Sequence, residues 1–318
     1  MARRRSHSRG SRSGGVLLFV VGLLLGAGVL YLFLSHSRPQ PAPPGPEART
    51  GPAKRESPVK ITPSKRRPAS DHVEPEVQMA ATVTVPEAPA GPVHGVRIAL
   101  VIDDLGHTVE ELRPLEGLGV PVSYSVLPYE DQTPEVVAEL RRRKAEILLH
   151  LPMEPRNGED PGPGALLQGM DDDELREKTV AALQAVPGAV GVNNHMGSLL
   201  SAEEGPMTAV LRVLARRGLF FLDSRTSADS VGYKVAARLG IPAAERQVFL
   251  DGEATPEAIQ TQFQRLLALA RTRGSAIAIG HPHPETLAAL EREVPKAREE
   301  GYEFVPVSYL MNQSGDAQ

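Results

Sequence analysis

The 318-residue sequence contains no cysteine and no tryptophan. The first absence excludes disulfide scaffolds, thiolate-bound zinc, iron–sulfur clusters and cysteine nucleophiles. It says nothing of redox compartment, because a chain without thiols works in any of them. Aromatic residues make up only 4% of the chain, so few flat faces are available to stack on sugar rings; Tyr124, Tyr129 and Phe249 are the ones near strand ends. No G-x-G-x-x-G follows the first strand-like run, which leaves dinucleotide binding without support. Ser198 lacks the G-x-S-x-G elbow of a serine hydrolase. Charge is present but unevenly placed. Residues 1–94 hold 13 cationic and 6 acidic side chains, a net of +7, whereas residues 95–318 hold 22 and 33, a net of −11. A −11 segment without a basic stripe argues against nucleic acid as a partner. With 41% hydrophobic residues, the chain can bury a sizeable core.

The basic part divides into three. Residues 1–15 carry five arginines and no acid. Residues 16–34, VLLFVVGLLLGAGVLYLFL, are free of charge; at 1.5 Å per residue such a run spans ~28 Å, close to a bilayer core. A single transmembrane anchor is expected, with a cytoplasmic N-terminus and the rest of the chain in the periplasm or outside. A cleaved signal peptide would have an apolar core of only ~7–15 residues and a small-residue cleavage site, which Ser35 and Ser37 match poorly. Residues 35–94 contain 13 prolines and no periodicity, the composition of a disordered linker.

From residue 95 the texture changes. Short apolar runs (RIALVIDD, PVSYSVLP, EILLHLP, AVGVNNHMG, LFFLDS, QVFLDG, SAIAIGHPHP and YEFVPVSYL) alternate with amphipathic helical stretches. Asp171 to Asp173 mark one helix start, Thr255-Pro256 another, and Arg216, Arg217 and Gly218 a helix end. Such alternation implies a parallel sheet covered by helices, and the length is near that of a (β/α) barrel. The expected fold is therefore α/β: a (β/α) barrel over residues 95–312, distorted or incomplete, with seven or eight strands, followed by a tail at 313–318.

The polar residues gather where the strands end. Asp103 and Asp104 close the first run, His150 the third, Asn193, Asn194 and His195 the fourth, Asp223 and Ser224 the fifth, Asp251 the sixth, and His281 and His283 the seventh. Capping could account for any one Asp or Asn. It does not account for six strands ending this way, nor for four of the nine histidines standing there. In a barrel all these ends share one face, the face that carries active sites. Carboxylates and imidazoles without thiolates suit a borderline divalent cation such as zinc.

VIDDLG, HLPMEP, GVNNHMGS, LDSRTS and GHPHP, in this order, resemble the divergent polysaccharide deacetylase family, the YibQ-like proteins. That family is distantly similar to the NodB-type polysaccharide deacetylases, which use a distorted (β/α) barrel and a divalent metal, usually zinc. The resemblance covers Val96 to about Leu310. It implies that Asp103 is a catalytic base and Asp104 a metal ligand, with His150 a second ligand. The second histidine of the NodB-type His-x-x-x-His is replaced here by Glu154, and His195 could complete the metal site instead. His281 or His283 stands where those enzymes place a general acid, with His283 favoured. Asn193 and Asn194 would donate to the oxyanion or to sugar hydroxyls; Asp223, Asp251 and His281 would bind substrate or orient other groups.

The function expected from this resemblance is metal-dependent hydrolysis of acetyl C–N or ester bonds on an envelope polysaccharide or peptidoglycan-type glycan. The alternative is a non-catalytic glycan- or protein-binding module on a degenerate deacetylase fold. A glycosidase built on Asp104 and Asp223 ranks third.

Overall fold

The computed structural model describes residues 93–313. The expected anchor at 16–34 and linker at 35–94, apart from residues 93 and 94, lie outside the described residues. No helix among the described residues is long and apolar enough to cross a membrane.

The chain runs β1 (Arg97–Leu105), a 3-10 turn (Val109–Glu111), α1 (Leu112–Gly117), β2 (Ser123–Val126), α2 (Thr133–Arg142), β3 (Glu146–Met153), α3 (Asp172–Ala185) and β4 (Gly191–Met196). It continues through α4 (Glu204–Arg217), β5 (Phe220–Asp223), α5 (Gly232–Arg238), β6 (Ala243–Glu245), β7 (Val248–Phe249), α6 (Pro256–Arg273), β8 (Ser275–Gly280), α7 (Pro284–Glu299), β9 (Glu303–Phe304) and α8 (Val307–Gln313). The strand order is β6-β5-β4-β3-β2-β1-β8-β7, every neighbour parallel. β6 and β7 occupy opposite ends of this order, yet only Arg246 and Gln247 lie between them. Two residues reach no more than ~11 Å from the last Cα of one strand to the first of the next, so the sheet must curl until its edges nearly meet. The Arg246 N–H donates to Asp223 O on one side of the seam and the Gln247 N–H to Ile277 O on the other. The result is an eight-stranded parallel half-barrel.

One expectation is corrected. YEFVPVSYL is not an eighth barrel strand: only Glu303–Phe304 pairs, beside the start of β1, and the rest turns into α8. Pro306 cannot donate to a ladder, and Val307, Leu310 and Met311 recur at helical spacing. The strand that does complete the sheet is β6, whose Ala-Ala-Glu sequence carries no strand signal.

The barrel interior has two layers. Ala99, Val101, Leu148, Phe220, Leu222, Ile277 and Ile279 form the lower one, closed below by Val307, Leu310 and Met311 of α8. Full burial of such side chains stabilises the fold by about 1.5–3 kcal/mol each. α8 is held there by its first amides: the Val307 N–H donates to Ser123 Oγ (2.9 Å) and the Ser308 N–H to Glu146 Oε1 (3.2 Å). Side chains alternate across a strand, so two residues beyond Val101, Leu148, Leu222 and Ile279 the chain presents Asp103, His150, Ser224 and His281 to the same interior. The apolar layer thus sets the floor of a polar one.

Candidate functional site

The first strand brings two adjacent acids to one place, which strict alternation forbids. Ile102 pairs with Tyr124 but Leu105 with Val126, one residue too many on β1. This is a β-bulge, and Asp104 takes it up with a left-handed φ of 57°. Ile98, Leu100 and Ile102 belong to the core between sheet and helices, and so does Leu105; the bulge therefore restores phase after the two acids. Asp103 and Asp104 both lie beside His150, with Oδ2 and Oδ1 at 3.5 and 3.1 Å from its Nε2. Met196 and Arg225, at the ends of neighbouring strands, also have positive φ, 49° and 54°. Left-handed backbone at a non-glycine residue costs about 1–3 kcal/mol, and three of the four such residues among the described ones stand at this rim, the fourth, Lys144, preceding β3 at the other end.

Asp104 Oδ1, His150 Nε2 and His195 Nδ1 converge. Oδ1 lies 2.9 Å from His195 Nδ1 and 3.1 Å from His150 Nε2, and the two nitrogens are 3.2 Å apart. Despite this proximity, Asp104 Oδ1 is buried without a hydrogen bond of acceptable geometry. The three atoms lie within 3.2 Å of one another, close enough to share one ion. Burial tends to raise the Asp104 carboxyl, but the imidazoles of His195, His150 and His281 outweigh it and hold the group well below the usual carboxylate range. Burial likewise disfavours charge on His150, yet Asp103 and Asp104 raise its pKa. A field that favours imidazolium favours any cation at the same point. One oxygen and two imidazole nitrogens are a donor set suited to zinc and similar ions, so these residues fit a divalent cation.

Across the pocket stands a second group. Asp251, His281 and His283 also place three donor atoms within 4.8 Å of one another. Here the carboxylate is fully engaged. Asp251 Oδ2 accepts from the His281 N–H (2.6 Å) and Thr286 Oγ1 (2.7 Å), while Oδ1 lies 3.0 Å from His281 Nδ1. His281 Nε2 then faces Asp104 Oδ2 at 3.7 Å. Burial opposes charge on His281, but Asp104 and Asp251 push its pKa up to about 10. The ring is also fixed by the edge of Phe249, centroids 5.5 Å apart. His283 lies one ring further out, 5.6 Å from His281, at the N-cap of α7.

The remaining sequence candidates are drawn into the framework. Asn194 Nδ2 donates to Met196 O (2.8 Å) and Thr226 Oγ1 (3.3 Å), and its Oδ1 accepts from the Ser224 N–H. Asp223, fully buried, accepts from the Arg225 and Tyr233 amides and from Ser230 Oγ. It ties the loop after β5 together and offers the cleft no second carboxylate of the kind a glycosidase needs. Asn193 Nδ2 donates to Asp103. Glu154 Oε2 accepts from the Gln168 N–H (2.6 Å) and so closes the loop after β3 instead of joining His150. That loop packs on the ring of Tyr129: a Cβ on Gly164 would come within 2.1 Å of it. Ser125 and Thr286 are site residues that the sequence reading does not single out, whereas Ser224 stands where the strand ends place it. For Ser125 the i, i+2 serines of PVSYSVLP are the one sequence signal, marking a polar inner face on an otherwise apolar strand; Thr286 has none.

Residues 100–311 match the divergent polysaccharide deacetylase family. The uncharacterized protein YibQ of Escherichia coli (strain K12) is 36% identical over 205 residues, 64% of this chain and 64% of YibQ. The match thus takes in less than two thirds of YibQ's own length. An uncharacterized protein of Haemophilus influenzae is 35% identical over 195 residues, 61% of this chain and 70% of its own. The crystal structure of an uncharacterized protein from Agrobacterium tumefaciens C58 superimposes with a TM-score of 0.64 at 29% identity, covering 70% of this chain and 92% of that one. The matched span includes the curled sheet, the bulged acid pair and both carboxylate–imidazole groups, and the chain belongs to the divergent polysaccharide deacetylase family.

Proposed function

We propose that the protein is a metal-dependent deacetylase that removes acetyl groups from an envelope glycan of the peptidoglycan type. The observation that carries this reading is the convergence of Asp104 Oδ1, His150 Nε2 and His195 Nδ1 beside a second carboxylate and opposite an oriented imidazole. Asp104, His150 and His195 would hold the cation, zinc by the chemistry of the donors. Such a cation supplies Lewis acidity, drawing charge from a carbonyl oxygen and making water a better nucleophile.

The chain's own residues supply the proton transfers. Asp103, almost wholly buried and fixed by Asn193, takes a proton from water as its oxygen adds to the acetyl carbon. His281 gives its Nε2 proton to the departing nitrogen or oxygen, so that acetate and an amine or alcohol leave. Asp251 accepts from Nδ1–H and keeps Nε2 toward the pocket. In this proposal His281 is the acid in place of the favoured His283, because His281 is the one oriented by a carboxylate and facing Asp104. Asn193 and Asn194 act by holding other groups, since their amide hydrogens are already committed. The placing of the domain outside the cytoplasmic membrane rests on the charge and hydropathy of residues 1–34 alone.

The test uses the purified full-length chain. Metal content is measured, and acetate release is followed from acetylated chito-oligosaccharides and from peptidoglycan. Stoichiometric metal and metal-dependent acetate release are expected. Metal-free protein that stays inactive after zinc, cobalt or nickel is supplied would overturn the proposal; saturable glycan binding without turnover would favour a binding module.

A further inference from the structure

Asn193 on β4 is fully buried and touches four other barrel segments. Its Oδ1 lies 3.0 Å from His150 Nδ1 on β3 and accepts from Ser125 Oγ on β2. Its Nδ2 lies 2.9 and 3.1 Å from the two oxygens of Asp103 on β1 and 3.2 Å from Ser224 Oγ after β5. An amide has two acceptor lone pairs and two donor hydrogens, and here both sides are engaged.

This arrangement has only one workable orientation. Turning the amide over would set its oxygen against the Asp103 carboxylate, two acceptors with no proton between them. The upright amide needs a proton on His150 Nδ1, because Oδ1 can only accept. A neutral His150 is then unprotonated at Nε2, the atom that faces Asp104 and His195. With the amide reversed, Nδ1 would accept and Nε2 would carry the hydrogen, pointing an N–H at the place where a lone pair is required.

We infer that Asn193 is a positioning residue that sets two groups with one amide: the ligand-competent tautomer of His150 and the orientation of the Asp103 carboxylate. The Asp103 half rests on the deacetylase reading above; the His150 half stands on geometry alone. An Asn193→Asp replacement separates the halves, since a carboxylate still accepts from His150 Nδ1–H, while beside Asp103 it either repels that carboxylate or shares a proton with it, and both outcomes spoil Asp103 as a base. Asn193→Leu removes both.

The experiment compares full-length parent, Asn193→Asp and Asn193→Leu. Cobalt affinity is measured by chelator competition, the visible cobalt spectrum is recorded, and acetate release is assayed. Loss of a partner that orients a ligating histidine typically weakens metal binding by about 10–100-fold, and this is expected for the Leu variant, with an altered spectrum. The Asp variant should keep the parent's spectrum and bind cobalt no more weakly, yet lose about 100-fold or more in acetate release, in the range of general-base contributions. Parent-like cobalt binding and spectrum in the Leu variant would overturn the inference, as would equal loss of cobalt in both variants. Nitrogen NMR of the histidine-labelled, zinc-loaded parent gives a reading that does not depend on variant folding. The Nδ1–H tautomer is expected, and the Nε2–H tautomer would overturn the inference. A parent that releases no acetate would count against the proposed function while leaving the His150 result decisive.

Discussion

The rim carries two carboxylate–imidazole groups with the same residue types and opposite hydrogen-bond status. In one, Asp104 Oδ1 approaches two imidazole nitrogens and bonds properly to neither. In the other, both Asp251 oxygens accept hydrogen bonds, from His281 twice and from Thr286 once. Burial and donor count would rank the two alike as cation sites. What separates them is whether the carboxylate has already been satisfied by protein. In the proposed mechanism the first group receives a cation and the second aims a ring.

That difference can be tested from its largest expected effect downward. Asp104→Ala should lower metal affinity by at least about 100-fold and bring acetate release to background, because one of three ligands is gone; metal titration of the purified variant reads this directly. His281→Ala should leave metal affinity within about threefold of the parent while turnover falls by about 10²–10⁴, the usual contribution of a general acid. A drop in metal affinity matching that of Asp104→Ala would erase the distinction between the groups. Thr286→Val deletes one hydrogen bond to a buried carboxylate, worth about 1.5–3 kcal/mol when the partner is charged. It should lower the denaturation midpoint measurably and leave metal binding unchanged. His283→Ala, a ring further from Asp104, should alter turnover less than about threefold and metal affinity not at all; a large loss in kcat would return the acid role to His283.

Features governed by local chemistry were legible in the sequence. Asp171 caps α3 in a reciprocal box with Glu174, Thr255 caps α6, and Gly218 ends α4 in the left-handed region. Each signal lies within four residues of the element it terminates. Seven strand-like runs lie in the curled sheet, because strands buried on both faces read as apolar runs. The half-barrel's last details were not legible. β6 has three residues and a composition that fits any state, and it exists only because β5 offers a free edge. YEFVPVSYL reads as a strand until the interior needs a plug. Within the site, the preference for His281 over His283 in the proposed mechanism turns on a carboxylate thirty residues earlier in the chain, brought alongside by pairing of β7 with β8. Two histidines in one GHPHP motif look equivalent until that pairing is known. The roles of the two asparagines were obscured for the same reason: adjacent in sequence, they face opposite sides of β4, and their partners come from other strands.

The bulge in β1 bears on how such a site could arise. Strict alternation would send one of two neighbouring acids into the pocket and the other toward the helices. One supernumerary residue works like a frameshift confined to a single strand, because Leu105 re-enters the core in the phase that Ile102 left. The acidity of the pocket can therefore change by the gain or loss of one codon, with the surrounding core left in place. The left-handed backbone at Asp104 marks the extra residue, and without it the strand would offer the pocket one carboxylate instead of two.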